Sequence, residues 1–312
     1  MPKLQLTLKD LHYVVALADH GHFGRAAAAC NISQPTLSTQ IKKLEQDLGL
    51  QLFERTTQSV SVTDFGLDIV GRARRILAEV EAIGSVGHDQ ARPLAGVFRL
   101  GVIPTLGPYL LPWLVPALKA RYPELRLSVR EDLTAPLLER LHSRRLDAVL
   151  VALPLHEDGL DTAALFDEPF RFAEPRQERN QEGPRETGLM DEAELRGQRL
   201  LLLTEGHCLR DQALAICATS DAELDGDFRA TSLETIVQMV ATGLGNTLLP
   251  AMACGSERAR GVTTRALAPG IDRRIGLAWR RGSARVRDIS LLGDIVRDNL
   301  PSSVRRVGAL SS

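Results

Sequence analysis

Apolar positions near the start of the chain fall into short helical stripes separated by Ser, Asn and Gly. An alanine-rich stretch, Ala26-Ala27-Ala28-Ala29, lets a second helix approach closely. Asn31 tolerates a left-handed turn, Ser33 can cap a new helix, and Pro35 suits its first turn, where a missing N–H costs nothing. Leu37, Ile41 and Leu44 then stand at i, i+4 and i+7, the buried face of that helix. This order predicts a helix-turn-helix. Phe53-Glu54-Arg55 and Val60-Ser61-Val62-Thr63 predict a two-stranded wing. One long helix is expected from Asp64 to about Gln90, with Thr63 as its cap. Its Ile69, Ala73, Ile76, Val80 and Ile83 step by four, three, four and three, the spacing of a coiled-coil seam. Gly66, Gly71 and Gly84 weaken that helix in isolation, so a partner helix across a dimer seam is expected.

Arg92-Pro93-Leu94-Ala95-Gly96 breaks the pattern and reads as a linker. Strand-like and helix-like segments alternate afterwards. Strands are expected at Val97–Ile103, Leu125–Arg130, Ala148–Ala152, Leu200–Leu203, Thr247–Leu249 and Ile275–Trp279. Helices are expected at Pro108–Ala120, Thr134–Ser143, Ser232–Thr242 and Val286–Leu300. Glu174–Gly188 is polar, carries Pro175 and Pro184, and reads as a loop or disordered segment. The expected class is α/β with largely parallel sheets, preceded by an all-α-rich winged helix-turn-helix domain. The divisions read as 1–64 for the winged domain, 65–92 for the linking and dimerising helix, and 93–312 for the α/β region.

Composition narrows this further. The 312 residues carry 38 Lys+Arg against 39 Asp+Glu, a formal net charge of −1. Such balance excludes indiscriminate electrostatic coating of nucleic acid but not a local DNA-reading element. No apolar run approaches a membrane span, and the start lacks the apolar core of a signal peptide. Four cysteines are too sparse for a disulfide scaffold, so a reduced cytoplasmic setting without membrane attachment is expected.

The outward side of the second helix of the motif carries Gln34, Thr36, Ser38, Thr39, Lys42 and Lys43. These are short hydrogen-bonding groups suited to base edges and cations suited to phosphates. Ser33 and Pro35 at its start, and Arg55 in the wing, complete the candidate DNA-facing set. The run Ala26-Ala27 through Ser33-Gln34-Pro35-Thr36-Leu37-Ser38, followed by Ile41, Leu44-Glu45, Leu48-Gly49 and Leu52-Phe53-Glu54-Arg55, resembles the reader of LysR-type transcriptional regulators. That resemblance implies a two-lobed sensor domain like periplasmic binding proteins, a homodimer or homotetramer, promoter DNA and RNA polymerase as partners, and no enzymatic turnover.

A second stretch is Gly206-His207-Cys208-Leu209-Arg210-Asp211-Gln212, with Cys217 nine positions beyond Cys208. The spacing is neither Cys-x-x-Cys nor that of a structural zinc site, and no metal is expected. His207 and a turn carrying Arg210 would favour the Cys208 thiolate. If residues 208–217 were helical throughout, their Cα atoms would lie about 13 Å apart. A disulfide needs about 7 Å or less, so bonding would require rearrangement. By spacing alone, the pair reads as reduced, buried packing residues, as in a regulator that binds a small metabolite between its lobes. The same stretch is similar to the redox motif of the OxyR-type peroxide sensors, a branch of the LysR family. That resemblance implies a Cys208–Cys217 disulfide, with Cys208 reacting with peroxide and Cys217 resolving it. It places Thr105, Thr134, His207, Asp211 and Arg273 around hydrogen peroxide, which is reactant and signal with no further cofactor. A helix cap is the plain alternative for Thr105 and Thr134. Cys30 in the alanine-rich helix and Cys254 in a loop after Leu249-Pro250 read as structural.

Overall fold

The computed structural model describes residues 6–55, 60–85, 93–176, 189–190, 192–195, 198, 200–217, 229–255, 259 and 261–307. They form two compact units, Met1–Arg92 and Pro93–Ser312. No described helix is long and apolar enough to cross a membrane.

In the first unit, α1 (Leu8–His20) opens with a capping box in which the Thr7 hydroxyl accepts from the Asp10 N–H and the Asp10 carboxylate accepts from the Thr7 N–H. After α2 (Phe23–Ala29), Asn31 takes the left-handed conformation at φ 55°. Ser33 then caps α3 (Gln34–Leu48), its hydroxyl accepting from the Thr36 N–H at 3.3 Å. Leu37, Ile41 and Leu44 are buried with Val14, Leu17 and Ala26 in one core. Strands β1 (Phe53–Arg55) and β2 (Val60–Val62) pair antiparallel with Phe53 opposite Val62. The root of this wing is clasped from α3, where Glu45 Oε1 accepts from the N–H groups of Leu52 at 2.9 Å and Phe53 at 3.1 Å. Thr63 caps α4 (Asp64–Ser85), accepting from the Gly66 N–H at 3.0 Å.

The expected seam on α4 divides in two. Ala73 is buried and Ile69 packs on the core of its own unit, because the first turns of α4 lie on α1. Ile76, Val80 and Ile83 remain 42%, 40% and 74% exposed. Only this later part is available to a partner helix. The predicted continuation over 86–90 lies outside the described residues.

The second unit starts as β3 (Gly96–Val102), α5 (Gly107–Arg121), β4 (Leu125–Glu131), α6 (Thr134–His142) and β5 (Ala148–Leu153), with β3 parallel to both β4 and β5. The sixteen-residue β6 (Leu160–Pro175) follows. Then come β7 (Leu189–Met190), α7 (Glu192–Leu195), β8 (Leu202–Leu203), α8 (Cys208–Cys217), β9 (Arg229–Ala230), α9 (Leu233–Ala241), β10 (Thr247–Pro250) and α10 (Ala251–Cys254). The last elements are β11 (Val262–Leu267), β12 (Asp272–Arg280), α11 (Val286–Asp298) and β13 (Arg305–Arg306).

The architecture is mixed α/β, and its sheet is less parallel than the alternation suggests. β12 runs antiparallel to β5, while β6 pairs antiparallel with β10, β11, β12 and β13. β6 is the reason. Its residues 160–169 pair with β12 and residues 170–175 with β10 and β11, so one strand is shared by both lobes. Glu174 and Pro175 therefore end a strand, contrary to the loop expected from Glu174, and 177–188 lie outside the described residues. Gly276 is required at the register shift between β12 and β6, where a Cβ would meet the Ala163 carbonyl oxygen at 2.5 Å.

The residues expected to form a linker are held firmly at Leu94. Its side chain is buried, its φ is +54°, and its N–H donates to Asp288 Oδ1 of α11 at 2.9 Å. Asp288 Oδ2 in turn accepts from Arg285 Nε at 3.0 Å and Nη2 at 2.8 Å, and the guanidinium lies 4.8 Å from the Phe98 ring centroid. Asp288→Ala is expected to lower stability by about 1–3 kcal/mol, since it leaves the buried Leu94 N–H without its acceptor, while Arg285 keeps the Asp147 carboxylate at 3.3 Å and the Val97 carbonyl. Urea unfolding of the full chain against wild type measures this; a change under about 0.5 kcal/mol would contradict the anchor.

Candidate functional site

Three connections of the second unit bring the chemistry together. The loop after β3 carries Thr105, the turn after β4 leads to Thr134, and Arg273 sits near the start of β12. α8 begins with Cys208, and burial covers the preceding His207. Arg273 is 1% exposed, and its guanidinium is held by protein partners on two sides. Nη1 donates to Thr105 Oγ1 at 2.9 Å and Nη2 to the Thr105 carbonyl at 3.0 Å. Nε donates to Glu168 Oε2 at 2.9 Å, while Glu168 Oε1 accepts from the Met252 N–H at 2.9 Å. Because the Thr105 oxygen accepts from Arg273, its own hydroxyl proton remains to donate elsewhere.

Burial drives the Cys208 thiol above the ordinary cysteine range. The Arg273 cation, the Leu209 N–H and the Thr134 hydroxyl act against it, and Asp211 adds to it. The resting group is thus a thiol whose ionised form has a prepared set of donors at a helix start. The cation expected to favour thiolate is placed differently from the sequence reading. Desolvation pushes His207 down, so its imidazole is neutral near pH 7. Arg210 lies in the first turn of α8 and donates to the Leu203 carbonyl at 3.3 Å. Asp211 is exposed in the first turn of α8.

Thr105 and Thr134 do not serve as side-chain caps. The N-caps of α5 and α6 are Leu106 and Leu133, neither with a side-chain cap hydrogen bond. Both hydroxyls turn instead towards Arg273 and Cys208. Cys217 closes α8 at its far end, about 13 Å along the axis from Cys208, and its side chain lies outside the described residues. Cys254 stands in α10 rather than in a loop, its Sγ donating to the Pro250 carbonyl at 3.5 Å. Glu168 is the member of the site that sequence reasoning missed. Its one detectable signal is a period-two pattern through 160–175 with an acid on the inward side.

On α3, Gln34, Pro35, Thr36, Thr39, Lys42 and Lys43 are exposed, and Ser38 is half-buried. Ser33 Oγ and Thr36 Oγ1 lie 2.7 Å apart and serve the cap, and Thr39 Oγ1 donates to the Pro35 carbonyl at 2.9 Å. Gln34, Lys42 and Lys43 are left as the long side chains that reach outward. Arg55 ends β1; its side chain lies outside the described residues.

Residues 8–67 match the bacterial regulatory helix-turn-helix proteins of the lysR family, and residues 91–301 the LysR substrate binding domain. The chain belongs to the LysR family. It is therefore a DNA-binding transcription regulator and not an enzyme. The DNA-binding transcriptional dual regulator OxyR of Escherichia coli (strain K12) is 42% identical over 306 residues, 97% of this chain and 98% of the relative. The probable hydrogen peroxide-inducible genes activator of Streptomyces viridosporus is 44% identical over 298 residues, 94% of each chain. Among solved structures, full-length OxyR from Pseudomonas aeruginosa matches with TM-score 0.81 and 36% identity over 98% of this chain and 99% of that one. An H2O2-bound OxyR mutant from Corynebacterium glutamicum matches with TM-score 0.64 and 33% identity over 94% and 92%.

The pKa directions have a consequence in solution. Burial pushes the Cys254 thiol up to about 12, so its contribution to stability is present below the ordinary thiol pKa and is lost as pH rises towards 12. Iodoacetamide at pH 8 is expected to leave Cys254 unmodified in the native protein. Cys208 is expected to react only as pH rises past the ordinary thiol range, and Thr134→Val to move that inflection still higher. Peptide mapping by mass spectrometry across a pH series decides this, and a Thr134→Val inflection below wild type would refute the hydrogen bond's role.

Proposed function

We propose that this protein is a hydrogen-peroxide-responsive regulator of oxidative-stress genes whose sensor is the Cys208 thiol. The observation that carries the reading is Cys208 at the start of α8, hydrogen-bonded by Thr134 and faced by the Arg273 cation. The names of the OxyR relatives support the same reactant. In the reaction, Cys208 gives up its proton and its sulfur attacks one peroxide oxygen. The S–O bond forms as the O–O bond breaks, and the departing hydroxide takes a proton to become water. Arg273 and the hydroxyls of Thr105 and Thr134 stabilise charge on the leaving oxygen. Asp211 would hold water or take a proton at the edge, with neutral His207 beside the thiol.

Sulfur is oxidised to sulfenic acid and peroxide is reduced, with no other cofactor. The Cys217 thiol then attacks the Cys208 sulfur, forming the S–S bond and releasing water. A helix spanning both cysteines is incompatible with that bond, so oxidation must unwind part of α8. The exposed Ile76, Val80 and Ile83 of α4 support pairing of two chains in a homodimer, and two such pairs would make the homotetramer. Promoter DNA in the cytoplasm and RNA polymerase complete the set of partners.

Cys208→Ser is expected to abolish the response to peroxide, and Cys217→Ser to stop at a trapped sulfenic acid or mixed disulfide. Mass spectrometry of protein oxidised stoichiometrically provides the readout. A dominant bond other than Cys208–Cys217, or none, would overturn the switch and leave the reader untouched. For the reader, Gln34→Ala is expected to cost about 1–3 kcal/mol of discrimination at one base pair. Lys42→Ala should weaken all sites evenly and flatten the salt slope by about one. Operator titrations over a salt series test both, and wild-type behaviour in the two variants would remove α3 from the groove.

A further inference from the structure

The geometry points to Glu168 as a positioning residue for the chemistry of Cys208, acting through the Arg273 guanidinium. This inference rests on the reading of Cys208 as the peroxide-reactive thiol.

Glu168 and Arg273 are direct cross-strand partners in the β6–β12 ladder. The next pair along, Asp167 and Arg274, is also an ion pair, with Nε to Oδ1 at 2.8 Å and an Arg274 side chain 52% exposed. Successive residues of a strand face opposite sides, so two acid–arginine pairs stand back to back, one in water and one in the core. The solvated pair is an ordinary surface feature. The other is costly to desolvate, and two apolar side chains would fill the same space at least as stably. Retention of charge in the core is explained by where the guanidinium is aimed.

That aim is determined from two sides. Glu168 Oε2 takes both Nε at 2.9 Å and Nη2 at 2.8 Å, which leaves Oε1 for the Met252 N–H at 2.9 Å. Both carboxylate oxygens are thus pinned, one by β12 and one by the start of α10. The guanidinium edge away from the carboxylate meets Thr105 through Nη1 and Nη2. Without the carboxylate, the Thr105 contacts alone would hold Arg273 against rotation about its long side chain.

Among the described residues, the charged and titratable groups around the two centres come from several elements. Cys208 is acted on by Arg273 from β12, by Asp211 of its own helix and by the Thr134 hydroxyl at the start of α6, with His207 beside it. Glu168 has Arg273 opposite, the Met252 N–H above it, and the charge of Arg171 and the Cys254 thiol nearby. The two ways in which Glu168 could influence the sulfur have opposite signs. Acting by its negative charge, it would oppose ionisation, and Glu168→Gln would make Cys208 easier to ionise. Acting by holding Arg273, it supports ionisation, and Glu168→Gln would make Cys208 harder to ionise. Arg273 acts directly on Cys208 and Glu168 contacts Arg273, so holding is the operative effect.

The experiment uses full-length reduced protein in wild-type, E168Q, E168D, R273Q and E168Q/R273Q forms. Two quantities are read at Cys208 by peptide mass spectrometry: the rate of sulfenic acid formation with hydrogen peroxide under dimedone trapping, and the pH inflection of iodoacetamide alkylation. E168Q is expected to lower the peroxide rate by about 100-fold, the scale of a small misplacement at a reacting centre, and to move the inflection to higher pH. E168D keeps the charge on a shorter arm and is expected to fall between E168Q and wild type, which also covers instability of the Gln variant. In the R273Q background, E168Q is expected to add no further loss. An inflection shifted to lower pH, a peroxide rate within twofold of wild type, or additive losses in the double variant would each overturn the role. If wild-type Cys208 forms no sulfenic acid, the sensing reading fails separately, and the alkylation inflections still decide whether Glu168 holds Arg273.

Discussion

A guanidinium without access to water needs a place for every donor, and Arg273 imposes that demand at the centre of the sensor. Its partners come from three parts of the fold: Glu168 in the middle of β6, Thr105 in the loop after β3, and the Cys208 thiol at the start of α8. β6 and β12 must keep register for Glu168 to face Arg273, and a slip of one residue would exchange the buried pair for the solvated Asp167–Arg274 pair. The sharing of β6 between lobes follows the same logic. Its first part fixes the pair against β12, and its second part is tied to β10, from which α10 delivers the Met252 N–H to Glu168.

This arrangement reconciles two properties that seldom coexist in one thiol. Desolvation keeps Cys208 protonated and sparing towards general electrophiles, while the helix start, the Leu209 N–H, the Thr134 hydroxyl and Arg273 stand ready for negative charge. Cys254, equally free of a disulfide, shows the contrast. It is half-buried with Glu168 nearby, its thiol is pushed up to about 12, and its Sγ donates to the Pro250 carbonyl. Burial acts on both thiols, and the donor set around Cys208 is what distinguishes the two.

The reader works by shorter-range rules. A cap at Ser33, a left-handed Asn31 and a three-residue apolar stripe set α3 on its own core, and Glu45 carries that placement on to the wing. α4 then changes partner along its length, from the core at Ala73 to exposed apolar residues at Ile76, Val80 and Ile83.

The divide between what the sequence settles and what folding settles follows contact range. Capping, turn chemistry and apolar periodicity act within a few residues, so the helix-turn-helix, the cap at Thr63, and the helix and strand segments around Thr105 and Thr134 were legible from local pattern. The class of the reader was equally legible, because its motif is contiguous. What no local pattern could specify was the role of Glu168, the cation that faces Cys208, or the antiparallel half of the sheet. Glu168 and Arg273 are 105 residues apart and Arg273 and Thr105 are 168 apart, so their meeting exists only once β6 and β12 have paired. The same holds for the thiol. His207 and Arg210 adjoin Cys208 in the chain, yet burial neutralises one and the Leu203 carbonyl engages the other, and the tertiary structure supplies the charge from β12 instead.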